Sequence, residues 1–269
     1  MTVVARALVS TAPQLLQPEL NPAYQRLING LRVVEADFKQ RGVERIVYWS
    51  TGWISVLGQM FQSGGDLSGI HVDENWHDSS DLPFEFNIDQ KLAADLCAVA
   101  ESAGFPGKCV DYRDFSVDTA TILADRFLNP SKIPVTMVAC NVYCDSEKTK
   151  SLAGELFKVL DARKEKIAIV AVSLLSTSYH TSTINLSDDA IRGDAENAFV
   201  ADFIRAVSTG DWKGLGETVA RDATKIRTDM GLKAVSWLEG TMPAGKFDQP
   251  WHVLVTGPLY GASGIVAQL

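Results

Sequence analysis

Apolar positions along the chain switch repeatedly between strand-like and helix-like spacing. Residues 3–9 form a short apolar run that predicts a first strand. Pro22 opens a segment in which Leu27, Leu31, Val34 and Phe38 share one helical face, and Gly42 supplies its stop. Residues 45–49 predict a buried strand leading into a turn at Ser50-Thr51-Gly52-Trp53. From Gly64-Gly65 to Pro83 the chain is rich in Ser, Asp and His and reads as irregular. Asn87, with Gln90 three residues later, matches a capping-box variant and starts a helix through Leu92, Leu96 and Val99 to Gly104. A strand is expected over residues 134–140, and Asp145 caps a helix carrying Leu152, Leu156, Val159 and Leu160. Residues 166–174 are a near-continuous apolar run, the signature of a strand covered on both faces. Helices are expected over residues 194–240, broken at Gly210-Asp211. A last strand follows at residues 251–256 and ends at Gly257-Pro258-Leu259-Tyr260-Gly261.

This alternation predicts a single α/β domain over residues 1–269, with a mostly parallel or mixed central sheet flanked by helices on both faces. Functional loops then gather at strand carboxyl ends, after Val9, Trp49, Cys140, Leu174 and Thr256. With 46% hydrophobic and 22% charged residues, the chain has the profile of a globular protein. A formal charge of −8 argues against a nucleic-acid partner. No apolar run approaches the roughly 20 residues of a membrane span, and the amino terminus lacks a signal-peptide pattern. A cytoplasmic location is expected.

Several side chains invite chemical readings that weigh less than plain ones. Cys140 and Cys144 have a loose metal-knuckle spacing with no second pair nearby, so reduced, buried thiols are favoured over zinc. His71, Asp73 and His77 read as a hydrogen-bonded loop ahead of a metal cluster, and His252 as a structural histidine. Core or interface packing is favoured over ligand binding for Trp49, Trp53 and Trp76. The glycines of residues 257–261 lack the context of a phosphate loop and suggest a tight turn that positions Tyr260. No nucleophile elbow is present.

Four segments carry a family likeness: Ile70-His71-Val72-Asp73-Glu74-Asn75-Trp76, Asp118-Thr119-Ala120-Thr121, residues 228–233 and residues 257–261. They resemble the class III (LigB-like) extradiol dioxygenases, in the same order and over nearly the whole chain. Within that family they are most similar to the non-catalytic subunits of its two-component, 2-aminophenol-type members. Catalytic members open an aromatic ring with Fe(II) and O₂, holding the iron with two histidines and one carboxylate. The resemblance implies that Thr11 and Gly52 stand where those members carry their histidine ligands. Asp229 aligns with the carboxylate. Thr119 replaces one outer histidine, and His180 aligns with another. His71, Asp73, Glu74, Trp76 and Tyr260 are the remaining family-like loop residues.

The expectation is therefore a chain with no catalytic or metal-ligating residue and no cofactor of its own. It would stabilise a homologous catalytic subunit in an α₂β₂-like assembly, with Fe(II) and a small aromatic substrate, 2-aminophenol or a relative, bound by the partner. Two alternatives stand beside it. One is a self-sufficient ring-cleavage enzyme using His71, His77, His180 and an acid in a rearranged metal site. The other is a metal-free homo-oligomer that binds an aromatic ligand.

Overall fold

The apolar runs fold into strands β1 (Val3–Val9), β2 (Arg45–Ser55), β3 (Gln59–Gln62), β4 (Asp66–His71), β5 (Leu82–Asn87), β6 (Gly107–Val110), β7 (Val135–Asn141), β8 (Ile167–Val172), β9 (His252–Leu259) and β10 (Ala262–Gln268). Between them lie α1 (Pro22–Arg41), α2 (Gln90–Ser102), α3 (Thr119–Leu128), α4 (Ser146–Asp161), α5 (Asp194–Thr209), α6 (Trp212–Asp222) and α7 (Lys233–Gly240). The coordinates are a computed structural model that describes residues 2–77, 81–112, 114–222, 225–243 and 249–269.

Strand β8 shows how the layers arise. All its residues are buried, with Ile167, Ile169 and Ala171 in one core and Ala168, Val170 and Val172 in the other. A strand apolar on both faces needs cover on both. Helix α1, through Leu27, Leu31, Val34 and Phe38, and α3, through Ile122 and Leu123, cover one side. Helices α2, α4, α5 and α7 cover the other, where Trp237 stacks on Trp49 at 5.5 Å. The main sheet has the order β6-β3-β7-β2-β8-β1-β10-β9. Its centre, β7-β2-β8-β1, is parallel, while β3 pairs antiparallel with β7, and β10 with β1 and β9. This is the expected α/β architecture with helices on both faces.

Four local expectations are corrected. Residues 50–53 are not a turn ending the strand: β2 continues to Ser55 through a bulge, with Ser50 opposite Ala139 and Ile54 opposite Cys140. The stretch read as irregular holds the β4–β5 hairpin, whose Leu67, Leu82 and Phe86 reach the core. Asp89, not Asn87, caps α2 by accepting from the Leu92 N–H at 2.9 Å, and Gln90 turns away to the Ser63 carbonyl. The last expected strand runs on to Leu259 and doubles back as β10. Among the described residues, no helix is long and apolar enough to cross a membrane.

Candidate functional site

Three strand tips meet at the carboxyl end of the parallel centre, where open α/β sheets place their ligands. Beyond β1 the chain turns through Thr11. The β2 bulge lifts Thr51, Gly52 and Trp53 out of the ladder, and β8 ends at Val172-Ser173-Leu174. These residues line a cavity of about 420 Å³ together with His71, Asp73, Glu74, Trp76, Asp118, Thr119, Tyr179 and Asp229. The structure thus brings Thr11, Gly52, Thr119, Asp229 and four of the five family-like loop residues to one place.

Asp229 forms the floor. It is buried, and three residues in left-handed backbone follow it directly: Met230 (φ 46°), Gly231 (φ 66°) and Leu232 (φ 58°). Such a turn is strained for Met and Leu and persists only where surrounding contacts hold it. Those contacts converge on one oxygen. Asp229 Oδ2 accepts from Thr51 Oγ1 at 2.6 Å, Ser173 Oγ at 2.8 Å and the Leu174 N–H at 3.0 Å. Its Oδ1 accepts from no described residue.

The rim is a second network. Asp73 Oδ1 accepts from the Asn75 and Trp76 N–H groups at 2.9 and 3.1 Å. Its Oδ2 accepts the Thr119 hydroxyl at 2.6 Å, and His71 Nε2 lies 2.8 Å from Thr119 Oγ1. A threonine hydroxyl has one proton, and here it goes to the carboxylate, so His71 Nε2 is the donor to Oγ1. The bonded loop fixes Trp76, whose ring meets Tyr260 edge-on at 5.4 Å and Tyr179 at 6.2 Å. Of the three tryptophans read as packing residues, Trp49 is core, whereas Trp53 and Trp76 line the cavity.

His180 and Tyr260 stand outside the lining. The His180 N–H donates to the Tyr260 carbonyl at 3.0 Å, and its Nε2 lies 3.3 Å from Asp189 Oδ1 without hydrogen-bond alignment. Tyr260 (φ 58°) and Gly261 (φ 87°) form the two-residue turn between β9 and β10. Asp189 holds this turn: it accepts both turn N–H groups, at 2.7 and 2.8 Å, and the Tyr24 hydroxyl at 2.7 Å. Sequence reasoning passes over Asp189, because its donors lie 71, 72 and 165 residues away. Thr51 and Ser173 are missed too, though small hydroxyl residues at strand tips are the available signal.

The side chains at the three tips do not fit a ferrous ion. Thr11 Oγ1 is neutral and already donates to the Ala120 carbonyl at 2.7 Å. Gly52 offers no donor, and a Cβ there would sit 2.4 Å from Asp118 Oδ1, so the place of an imidazole is filled. Asp118 is itself anchored, accepting from the Thr121 N–H as the cap of α3 and from Ser50 Oγ. Burial pushes its carboxyl above the usual range. Asp229 has only one uncommitted oxygen. Among the described residues no three His, Cys, Asp or Glu side chains converge as a metal site, and His71 and His180 do not share the cavity. Cys140 and Cys144 are buried free thiols, and burial pushes Cys140 up to about 11, against metal-binding thiolate.

The chain is 27% identical to the alpha subunit of a 2-aminophenol 1,6-dioxygenase from Pseudomonas sp, over 100% of this chain and 99% of the relative. It is thus a distant relative of a dioxygenase subunit. A crystal structure of an uncharacterized protein from Escherichia coli K12 superposes with a TM-score of 0.68, covering 98% of this chain and 99% of that one. At 13% identity that likeness shows the fold alone. No family model matches the chain.

Proposed function

We propose that this chain is the non-catalytic subunit of a two-component, extradiol-type dioxygenase that opens 2-aminophenol or a related aromatic ring. Its partner would be a homologous subunit that carries the iron and binds the substrate, in an α₂β₂-like cytoplasmic assembly. One observation carries the reading: the strand tips that would have to hold iron present a hydroxyl, a glycine and a half-committed carboxylate. Full-length likeness to a named alpha subunit supports it.

The role left to such a chain is mechanical. Binding a partner's folded state stabilises that partner by mass action. Exposed apolar side chains adjoin the cavity end of the sheet at Ile54, Val56, Leu57, Val142 and Tyr143. The Val142 N–H donates to the Ser55 carbonyl, which ties the two segments into one face. Apolar surface concentrated in this way suits an obligate interface.

Co-expression with the product of an adjacent reading frame of the same fold, one carrying both histidines, tests the reading. The expected result is a stable complex with iron and ring-cleavage activity, and a chain that has neither when purified alone. Near-stoichiometric iron and turnover in the isolated chain would overturn it.

A further inference from the structure

The cavity carries negative charge that its own lining does not balance. Asp73, Glu74, Asp118 and Asp229 line it, and no Lys or Arg does among the described residues. Burial pushes the Asp118 carboxyl above the usual range, and Ser50 and Thr121 already occupy it. Asp73 and Asp229 each accept three hydrogen bonds from protein donors, which stabilise negative charge. Neutral donors do not cancel it. Asp229 is more than nine-tenths buried, lines the cavity and keeps Oδ1 without a partner among the described residues. The field is felt nearby: the Tyr179 phenol is pushed up to about 12, by burial first and then by Asp229 and Asp73.

Three aromatic side chains, Trp53, Trp76 and Tyr179, also line the cavity. Aromatic faces attract cations. A volume of about 420 Å³ lies within the ordinary range for small-ligand pockets.

We propose that this cavity binds a small aromatic ammonium, a ring with a primary amine on a short chain. The ammonium meets Asp229 Oδ1 and the ring lies against the Trp76 and Tyr179 wall. The site belongs to this chain alone, so it stands or falls independently of the partner subunit.

Three probes that share a phenethyl group and differ in charge test it by calorimetry and tryptophan fluorescence on the full chain: phenethylammonium, phenethyl alcohol and hydrocinnamate. The ammonium should bind at least about tenfold more tightly than the alcohol, and the carboxylate more weakly than either. Asp229→Asn should cost the ammonium about tenfold and leave the alcohol within about threefold. Because Asp229 also holds three donors, Glu74→Gln at the exposed rim gives a second reading. It should weaken the ammonium about two- to threefold with the thermal midpoint unchanged. Equal binding of the three probes, preference for the carboxylate, no ammonium binding at about 10 mM, or competitive displacement by calcium or magnesium would each overturn the proposal.

Discussion

Asp189 and Asp229 are both buried carboxylates that each accept three hydrogen bonds, yet they do opposite things. Asp189 spends both oxygens on fixed donors: the Tyr24 hydroxyl and two main-chain N–H groups of the β9–β10 turn. Asp229 gathers its donors on one oxygen and leaves the other facing a cavity. Two of those donors have other acceptors within reach, Thr51 the Val172 carbonyl at 3.3 Å and Ser173 the Leu174 carbonyl at 3.1 Å. Burial alone therefore does not separate a structural carboxylate from a binding one. What separates them is whether the protein uses up both oxygens and whether its donors have an alternative.

The largest expected effect breaks that comparison directly. Asp189→Ala strands two turn N–H groups and a buried phenol, and should cost about 3–5 kcal/mol of stability. Asp229→Ala strands mainly the Leu174 N–H and should cost about 1–2 kcal/mol. Urea unfolding of the two variants side by side is the check. Equal losses would mean that the alternative acceptors at Thr51 and Ser173 do not matter.

Gly52 gives the next effect. A Cβ at this position meets Asp118 Oδ1 at 2.4 Å, and that oxygen is held by the α3 cap. Gly52→Ala should therefore cost about 2–3 kcal/mol, as overpacking does. Shortening the neighbour with Asp118→Ser should recover about 1 kcal/mol or more in a double-mutant cycle. The same contact bears on restoring iron: Thr11→His with Gly52→His should gain no ferrous binding by calorimetry while Asp118 keeps its length.

Asp118 alone supplies a smaller, pH-dependent effect. Asn keeps the cap of α3, whereas Ala loses it and should cost about 1–2 kcal/mol. Burial raises the folded-state carboxyl, so its contribution to stability is full below the unfolded value, about 3.9, and is lost as pH rises through the folded value. Asp118→Asn lacks that loss. Its stability relative to the natural chain should be higher near pH 7 than near pH 4, and a flat difference would refute the assignment.

Strands β1 and β8 and helix α1 were legible in the sequence because burial there is one-sided or complete, which periodicity encodes well. The β4–β5 hairpin was harder: β4 buries only Leu67, although Leu82, Phe84 and Phe86 alternate along β5. Strand β10 hides behind Ala, Ser and Gly, which signal loops when isolated but pack closely here. At the site, residue identity at the strand tips could be read in one dimension. The filling of Gly52 by Asp118 could not, nor the claim of Asp189 on the Tyr260 turn, since both depend on atoms brought together from distant segments. The register placing Tyr179 rather than His180 on the cavity wall is another one-residue matter that spacing leaves open.

The smallest effect sharpens the contrast at the rim. Asp73 resembles Asp189 in using both oxygens, but one of its donors is the mobile-proton hydroxyl of Thr119, which His71 serves in turn. With the hydroxyl proton committed to Asp73, His71 must carry its proton on Nε2 to satisfy Thr119. Thr119→Val keeps the shape and removes both bonds. Asp73 retains the Asn75 and Trp76 N–H groups, so the loop should hold and stability should fall by only about 1 kcal/mol. The sharper readout is nitrogen NMR of the histidine ring. The natural chain should show the Nε2-protonated tautomer dominating at neutral pH, and Thr119→Val should let the two tautomers mix. An Nδ1-protonated ring in the natural chain would reverse the direction of the network, with the Thr119 hydroxyl donating to His71 Nε2 instead.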